Sequence, residues 1–287
     1  MNILIIGTGH VGKALAHQLR ANGHTVVGTT TTPAKVAELE PLLDQVHVLR
    51  GNEADKVAAA AQDCDAVIVT VAPNWKTTST PEQREQQYKE VLVDSCENAS
   101  AACPRVIFCS SFSVYGDGGD GDAPIDELSP TGNHEEPSSR YYQAAEEAAL
   151  AGGNGCVLRF PDMYGAPGDM SYPDRVKASH EYFGGKTVFS AEAPLYAIHV
   201  DDVVNAIYHV IDMGLQGTFN VCDEERLPYS NKLVFDAICA EEGLAPLEFL
   251  NQVKAPLRKI SARKLYDTGY CVSHADPNAS VVERRHG

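Results

Sequence analysis

Three glycines in Ile5-Ile6-Gly7-Thr8-Gly9-His10-Val11-Gly12 stand at G-x-G-x-x-G spacing, directly after an apolar run and at the opening of a helical pattern. Each has a physical task in that setting. Gly7 makes the tight turn, Gly9 lets backbone approach a pyrophosphate, and Gly12 lets the helix pack closely on the strand. N–H groups at the helix start, near Thr8, His10 and Val11, then face the phosphates with the helix dipole behind them. The motif predicts a bound nicotinamide dinucleotide. After the next apolar run comes Gly28-Thr29-Thr30-Thr31-Thr32, with Lys35 close behind. An NAD site usually places Asp or Glu here for the ribose hydroxyls, yet the first acid downstream is Glu38, inside a helical pattern. Thr29, Thr30, Thr31 and Lys35 suit a 2′-phosphate, so the expected cofactor is NADP. The alternative is that threonine is only a good strand residue and the pocket takes NAD as well. A further hydroxyl cluster, Ser110, Ser111 and Ser113, ends another apolar run, where such residues either face a pocket or cap backbone groups.

The elements that must hold these residues follow from periodicity. Residues 2–6, 25–28, 46–49, 66–71 and 105–109 read as buried parallel strands. Helical patterns lie between them at 11–20, 33–39, 53–62 and 81–102; Val11, Leu15 and Leu19 form an apolar stripe at four-residue steps. Such alternation specifies an α/β Rossmann-type doubly wound sheet with right-handed crossovers. Residues 117–137 read as a loop, 140–150 as a helix and 156–160 as a strand. Val71 and Ala72, Ser110, and Pro161 each end or follow a strand, at the sheet edge where a dinucleotide crosses. The expected organisation is a dinucleotide-binding core over 1–160, then a mixed segment over 161–275 that completes the sheet and covers a substrate pocket. That segment is expected to hold a helix at 203–213, a strand at 218–221 and a helix at 230–242. Residues 276–287 read as a polar tail.

Composition excludes several function classes. The net charge of -16 repels phosphate backbones and anionic lipid, and no basic patch offsets it, so neither nucleic acid nor membrane is an expected partner. Eight cysteines show no metal-knuckle or redox-pair spacing. The apolar run at 3–6 is too short for a signal peptide, so a cytoplasmic protein with reduced thiols is expected. Asp117-Gly118-Gly119-Asp120-Gly121-Asp122 fails the calcium-loop pattern, because Pro124 stands fifth from Asp120 and no glycine is sixth. The histidines lack ligand spacing, and no metal is expected.

Several longer blocks carry a resemblance. They are Val106-Ile107-Phe108-Cys109-Ser110-Ser111-Phe112-Ser113-Val114-Tyr115-Gly116, Val157-Leu158-Arg159-Phe160-Pro161-Asp162-Met163-Tyr164-Gly165, Ile198-His199-Val200-Asp201-Asp202-Val203, Gly217-Thr218-Phe219-Asn220-Val221 and a late block from Lys259 to Tyr270. With the glycine turn, they resemble the short-chain dehydrogenase/reductase superfamily in its extended epimerase/dehydratase branch, over nearly the whole chain. The resemblance implies that a serine, here Ser111, orients the substrate oxygen while a tyrosine passes the proton. A lysine four residues after that tyrosine binds the nicotinamide ribose and lowers the tyrosine pKa. The tyrosine falls in Ser139-Arg140-Tyr141-Tyr142-Gln143-Ala144-Ala145-Glu146, as Tyr141 or Tyr142. The fourth residues on are Ala145 and Glu146, and no lysine stands between Lys89 and Lys177. Asp162 occupies the place where nucleotide-sugar epimerases of this branch have an asparagine, and a fixed carboxylate there disfavours a diphosphate. Ser113, Asp162 and Tyr164 are the expected pocket residues, Tyr164 alternatively being a packed core aromatic. The resemblance implies an NAD(P)-dependent oxidoreductase or epimerase acting on a small carbonyl or hydroxyl compound. It also implies a homodimer through helices 81–102 and 140–150. The alternative, favoured by the missing lysine, is an NADP-binding redox sensor or scaffold.

Overall fold

The computed structural model describes residues 1–74, 77–132 and 137–286, so part of the expected loop at 117–137 lies outside the described residues. The strands are β1 (Asn2–Ile6), β2 (Thr25–Thr30), β3 (Gln45–Val48), β4 (Ala66–Val69), β5 (Val106–Ser111), β6 (Cys156–Phe160), β7 (Asp162–Tyr164), β8 (Lys186–Thr187), β9 (Ala197–His199), β10 (Gly217–Asn220) and β11 (Glu248–Phe249). Seven of them form one sheet in the order β3-β2-β1-β4-β5-β6-β10, every pairing parallel. Beside it lie two parallel strand pairs, β7 with β9 and β8 with β11. Strand order reverses between β1 and β4, which opens a crevice at their carboxyl ends.

The helices are α1 (His10–Ala21), α2 (Val36–Leu39), α3 (Ala54–Ala60), α4 (Pro81–Tyr88), α5 (Asp94–Ala102), α6 (Pro137–Leu150), α7 (Tyr172–Phe183), α8 (Val200–Asp212), α9 (Asn231–Glu241), α10 (Arg263–Tyr266) and α11 (Pro277–His286). Strand side chains alternate between faces, and β1 shows how both faces are covered. Ile3 and Ile5 pack with Leu15 and Leu19 of α1 and Val203, Ile207 and Val210 of α8. Leu4 and Ile6 pack with Val57 of α3, Cys96 and Ala99 of α5, and Ala145 and Ala149 of α6. Burial on both faces is why the strands read as continuous apolar runs.

Four elements differ from the sequence expectation. β2 runs on to Thr30 and β5 to Ser111, so Thr29, Thr30, Ser110 and Ser111 are strand residues with partners across the sheet. The single helix expected over 81–102 starts at Thr80 with a capping box and Pro81 in its first turn, but a π-helical turn at Lys89–Val93 divides it. That widened turn brings Glu90 and Val91 to a cavity beside the glycine turn. The expected polar tail is a helix: Val281 and Val282 of α11 are buried against Val234, Phe235 and Ile238 of α9 and Tyr172 and Val176 of α7. Two adjacent valines are a weak periodic signal, but Arg284 pairs with Glu241 at 3.0 Å and holds that face down.

Candidate active site

The turn after β1 is stitched by threonines. Gly7 has φ +101, a conformation that favours glycine. Its N–H donates to Thr29 Oγ1 at 3.0 Å, and Thr70 Oγ1 donates to its carbonyl at 2.7 Å. Thr8 N–H donates to the Thr29 carbonyl at 3.0 Å, and Thr29 N–H to Thr8 Oγ1 at 3.1 Å. A Cβ on Gly12 would lie 2.6 Å from the Gly7 carbonyl oxygen, so helix and turn meet at backbone contact. A Cβ on Gly9 would meet nothing within 4 Å. Gly9 is the N-cap of α1 with no side-chain cap, and no acid stands in the first turn. Open space above unclaimed N–H groups at a helix start fits a pyrophosphate.

Two cavities meet over this turn, sharing Gly7, Gly9, Thr70, Val71 and Ala72. The outer one, about 510 Å³, runs along the ends of β2 and β3 past Thr8, Thr29, Thr30, Thr31, Thr32, Lys35, Arg50 and Asn52. Thr29 is buried and committed to Gly7, and Thr30 Oγ1 accepts from Thr32 N–H at 3.2 Å, so both shape the wall. Thr31, Lys35 and Arg50 are exposed along the same cavity. Glu38 is held by Lys13 at 2.8 Å and lies off the cavity. Arg50 was missed from sequence; its signal is position, two residues past the third strand at the carboxyl edge.

The inner cavity, about 660 Å³, extends from His10, Val11 and Gly12 past Ser110, Ser111 and Ser113 to Pro161 and Asp162. Tyr142 lines it; Tyr141 does not. Tyr141 stacks on Tyr88 with ring centroids 6.3 Å apart, and its hydroxyl accepts from Arg140 Nη2 at 3.3 Å. Tyr142 stacks on Phe108, and burial holds its phenol protonated far above the ordinary tyrosine range. Ser111 Oγ accepts from Ser113 N–H at 3.1 Å. Ser113 Oγ is buried with no hydrogen-bond partner among the described residues, a polar atom left for a ligand. Asp162 Oδ2 accepts from Tyr172 at 2.7 Å and pairs with Arg175 at 2.5 Å, so its charge is balanced. Tyr164 is not among the lining residues. Its hydroxyl donates to the Ala275 carbonyl at 3.0 Å, and its ring packs edge-on against His199.

Glu146, one turn after Tyr142, does not reach the cavity as a free charge. It is buried, and Arg159 of β6 grips it with Nε to Oε1 at 2.9 Å and Nη2 to Oε2 at 2.6 Å. The Ser110 hydroxyl donates to Oε1 at 2.5 Å. Arg159 Nη1 also donates to Tyr115 at 2.8 Å, and the Tyr115 hydroxyl bonds Asn220 Oδ1 at 2.7 Å. Burial outweighs Arg159 and pushes the Tyr115 phenol up to about 12. The fold thus places a carboxylate four residues after Tyr142 and neutralises it from the neighbouring strand. Because the Ser110 proton is committed to Glu146, its oxygen faces the cavity as an acceptor.

The fold also joins histidines that spacing did not connect. His199, Asp201 and His274 approach one another at the start of α8, with one ligand atom of each within 4.8 Å of the others. The two imidazoles stack, centroids 4.0 Å apart and planes 18° from parallel, so their in-plane lone pairs run side by side and do not converge on one ion. His274 Nδ1 bonds Asp202 Oδ2 at 3.0 Å, and His199 Nδ1 accepts from Asp201 N–H at 3.2 Å, so the group fastens the segment after α10 to the α8 N-terminus.

Residues 3–222 match the family model described as the NAD dependent epimerase/dehydratase family. A curated relative, Protein YeeZ of Escherichia coli strain K12, is 28% identical over 291 residues, spanning 98% of this chain and 99% of the relative. Two solved structures share the fold at lower identity. A short-chain dehydrogenase/reductase superfamily protein from Agrobacterium tumefaciens with bound NAD has a TM-score of 0.73 and 19% identity, covering 99% of this chain and 95% of that one. UDP-glucuronic acid 4-epimerase from Bacillus cereus, in complex with UDP-glucuronic acid and NAD, has a TM-score of 0.72 and 18% identity, covering 99% and 97%.

Proposed function

Because the chain belongs to the NAD dependent epimerase/dehydratase family, within the extended branch of the short-chain dehydrogenase/reductase superfamily, we propose that it binds NADP(H) along the sheet's carboxyl edge and reduces the carbonyl of a small compound. The observation that carries this reading is the pair of cavities that meet over Gly9, with Ser111, Ser113 and Tyr142 lining the inner one. Gly9 and the first turn of α1 would hold the pyrophosphate, and Thr31, Lys35 and Arg50 the 2′-phosphate. When bound, the dinucleotide supplies or accepts a hydride. The chain's own part is to place the substrate oxygen and move one proton. Ser111 and Ser113 orient that oxygen, and Tyr142 gives its phenolic proton to it as negative charge develops. The phenol then regains a proton from water. Burial raises the phenol and so keeps it from acting as a base at neutral pH, which disfavours hydroxyl oxidation and leaves it the donor role in carbonyl reduction.

The Glu146–Arg159 pair supports a second reading, because no cation takes the family lysine's place one turn beyond Tyr142: a protein that binds the cofactor as a sensor and turns nothing over. Fluorescence titration with NADPH and NADH, followed by NADPH oxidation against a carbonyl panel, separates the two. The reductase reading expects NADPH to bind at least 10-fold tighter than NADH, a preference reduced by Arg50→Ala. It also expects Tyr142→Phe to abolish turnover with NADPH binding unchanged. Tight cofactor binding with wild-type silence across the panel supports the sensor.

A further inference from the structure

The inner cavity is walled by Phe112, Phe160, Met163, Phe189, Leu195 and Val253, and Lys254 is the one Lys or Arg among its described lining residues. Phe189 and Val253 are 39% and 42% exposed, so the apolar lining continues out to the rim. Lys254 stands next to Val253 on that rim and has no carboxylate within ion-pair distance among the described residues. Its loop is pinned. Gln252 and Val253 N–H both donate to the Val188 carbonyl at 2.9 Å, and Asn251 Oδ1 accepts from Ala191 N–H at 3.1 Å. Lys254 therefore lines the cavity from a backbone held by these hydrogen bonds. The carboxylate of Asp162 is balanced by Arg175, which leaves Lys254 as the uncompensated charge.

We propose, building on the reductase reading, that the inner cavity takes an apolar carbonyl compound bearing a single carboxylate, with its aryl or alkyl body between Phe112, Phe189 and Leu195 and its carboxylate on Lys254. One ammonium matches one carboxylate. A diphosphate brings at least two charges into a wall that offers a single cation, and the desolvated surplus weakens binding. An apolar body gains from the lining as it leaves water.

Calorimetric titration with 4-benzoylbutyrate, its methyl ester and UDP-glucose tests the assignment on the protein alone and with NADP⁺ present. The acid is expected to bind at least 10-fold tighter than the ester in both settings. Lys254→Met should bring the acid down to the ester's affinity and leave the ester unchanged, whereas Phe189→Ala should weaken both. Equal binding of acid and ester, tighter binding of UDP-glucose, or no binding of any probe overturns the substrate class. The expected binding pattern without NADPH oxidation leaves the substrate class standing and removes the reductase reading instead.

Discussion

Replacing Arg159 with methionine breaks its buried ion pair with Glu146, and the cost follows from the geometry. The Arg159 and Glu146 side chains are 6% and 7% exposed, and three guanidinium hydrogen bonds reach Glu146 and Tyr115. Removing one member of a buried pair strands the other, which costs about 3–5 kcal/mol. Glu146→Leu should cost a similar amount, because it strands the guanidinium and frees the Ser110 proton. Removing both charges together strands neither. The double variant Arg159→Met/Glu146→Leu should lose only what Ser110 and Tyr115 forfeit as donors without their partners, about 1–3 kcal/mol. Equilibrium urea unfolding of the four proteins measures the cycle, and a coupling of about 3 kcal/mol or more is expected. Losses that add within about 0.5 kcal/mol would refute a shared buried pair. Glu146→Lys, which places a lysine four residues after Tyr142, should behave worse than Glu146→Leu, since it sets a second buried cation against Arg159. A gain in stability or turnover from that variant would show that Arg159 does not define the local electrostatics.

Gly9→Ala should leave thermal stability within about 1 kcal/mol, as its Cβ enters open space, yet weaken NADPH binding at least 10-fold in a fluorescence titration. Gly12→Ala should instead destabilise the fold, because its Cβ meets the Gly7 carbonyl at 2.6 Å. Burial pushes the Asp202 carboxyl up, but hydrogen bonds from Ser273 and His274 outweigh it and hold it below the usual carboxylate range. Its stabilisation is therefore fully present above about pH 3.9 and lost as pH falls through the lower folded value, so Asp202→Asn should cost about 1–3 kcal/mol at pH 7 and converge with wild type in urea unfolding at lower pH. Iodoacetamide at pH 8 should modify exposed Cys271 well before Cys109 or Cys156, whose thiols burial pushes up to about 12; peptide mass spectrometry reads the order.

Where local pattern and global contact agree, the sequence was legible. The glycine turn, β1 and β6 could be read because strand, turn and helix signals coincide within a dozen residues. Tyr142 could not be told from Tyr141, since the choice depends on which way α6 faces β5. Thr29 lines the outer cavity, and its hydroxyl also accepts from Gly7 N–H, a pairing across two strands that no local window contains. Glu146 was read as a charge beside the tyrosine; Arg159, its partner, comes from the next strand. Lys254 lines the inner cavity from a loop pinned by the stretch after β8, and Pro277–His286 became a helix because α9 offered an apolar face. Each miss is a contact between distant segments.

The last strand of the main sheet carries a consequence for the protein's biosynthesis. On the ribosome β6 is finished long before β10, and its free edge waits until residues 161–216 have been made. At roughly 5–20 residues per second, that interval is several seconds. During it the strand Cys156–Phe160, wholly buried in the finished protein, has no partner on one side, and α8 has not yet covered the face beneath it. An unpaired edge of this kind is a template for aggregation. Mutations that delay closure by β10 and α8 would therefore lower yield in the cell even where the purified protein is stable, and holding nascent chains folded is work for a chaperone at this one seam.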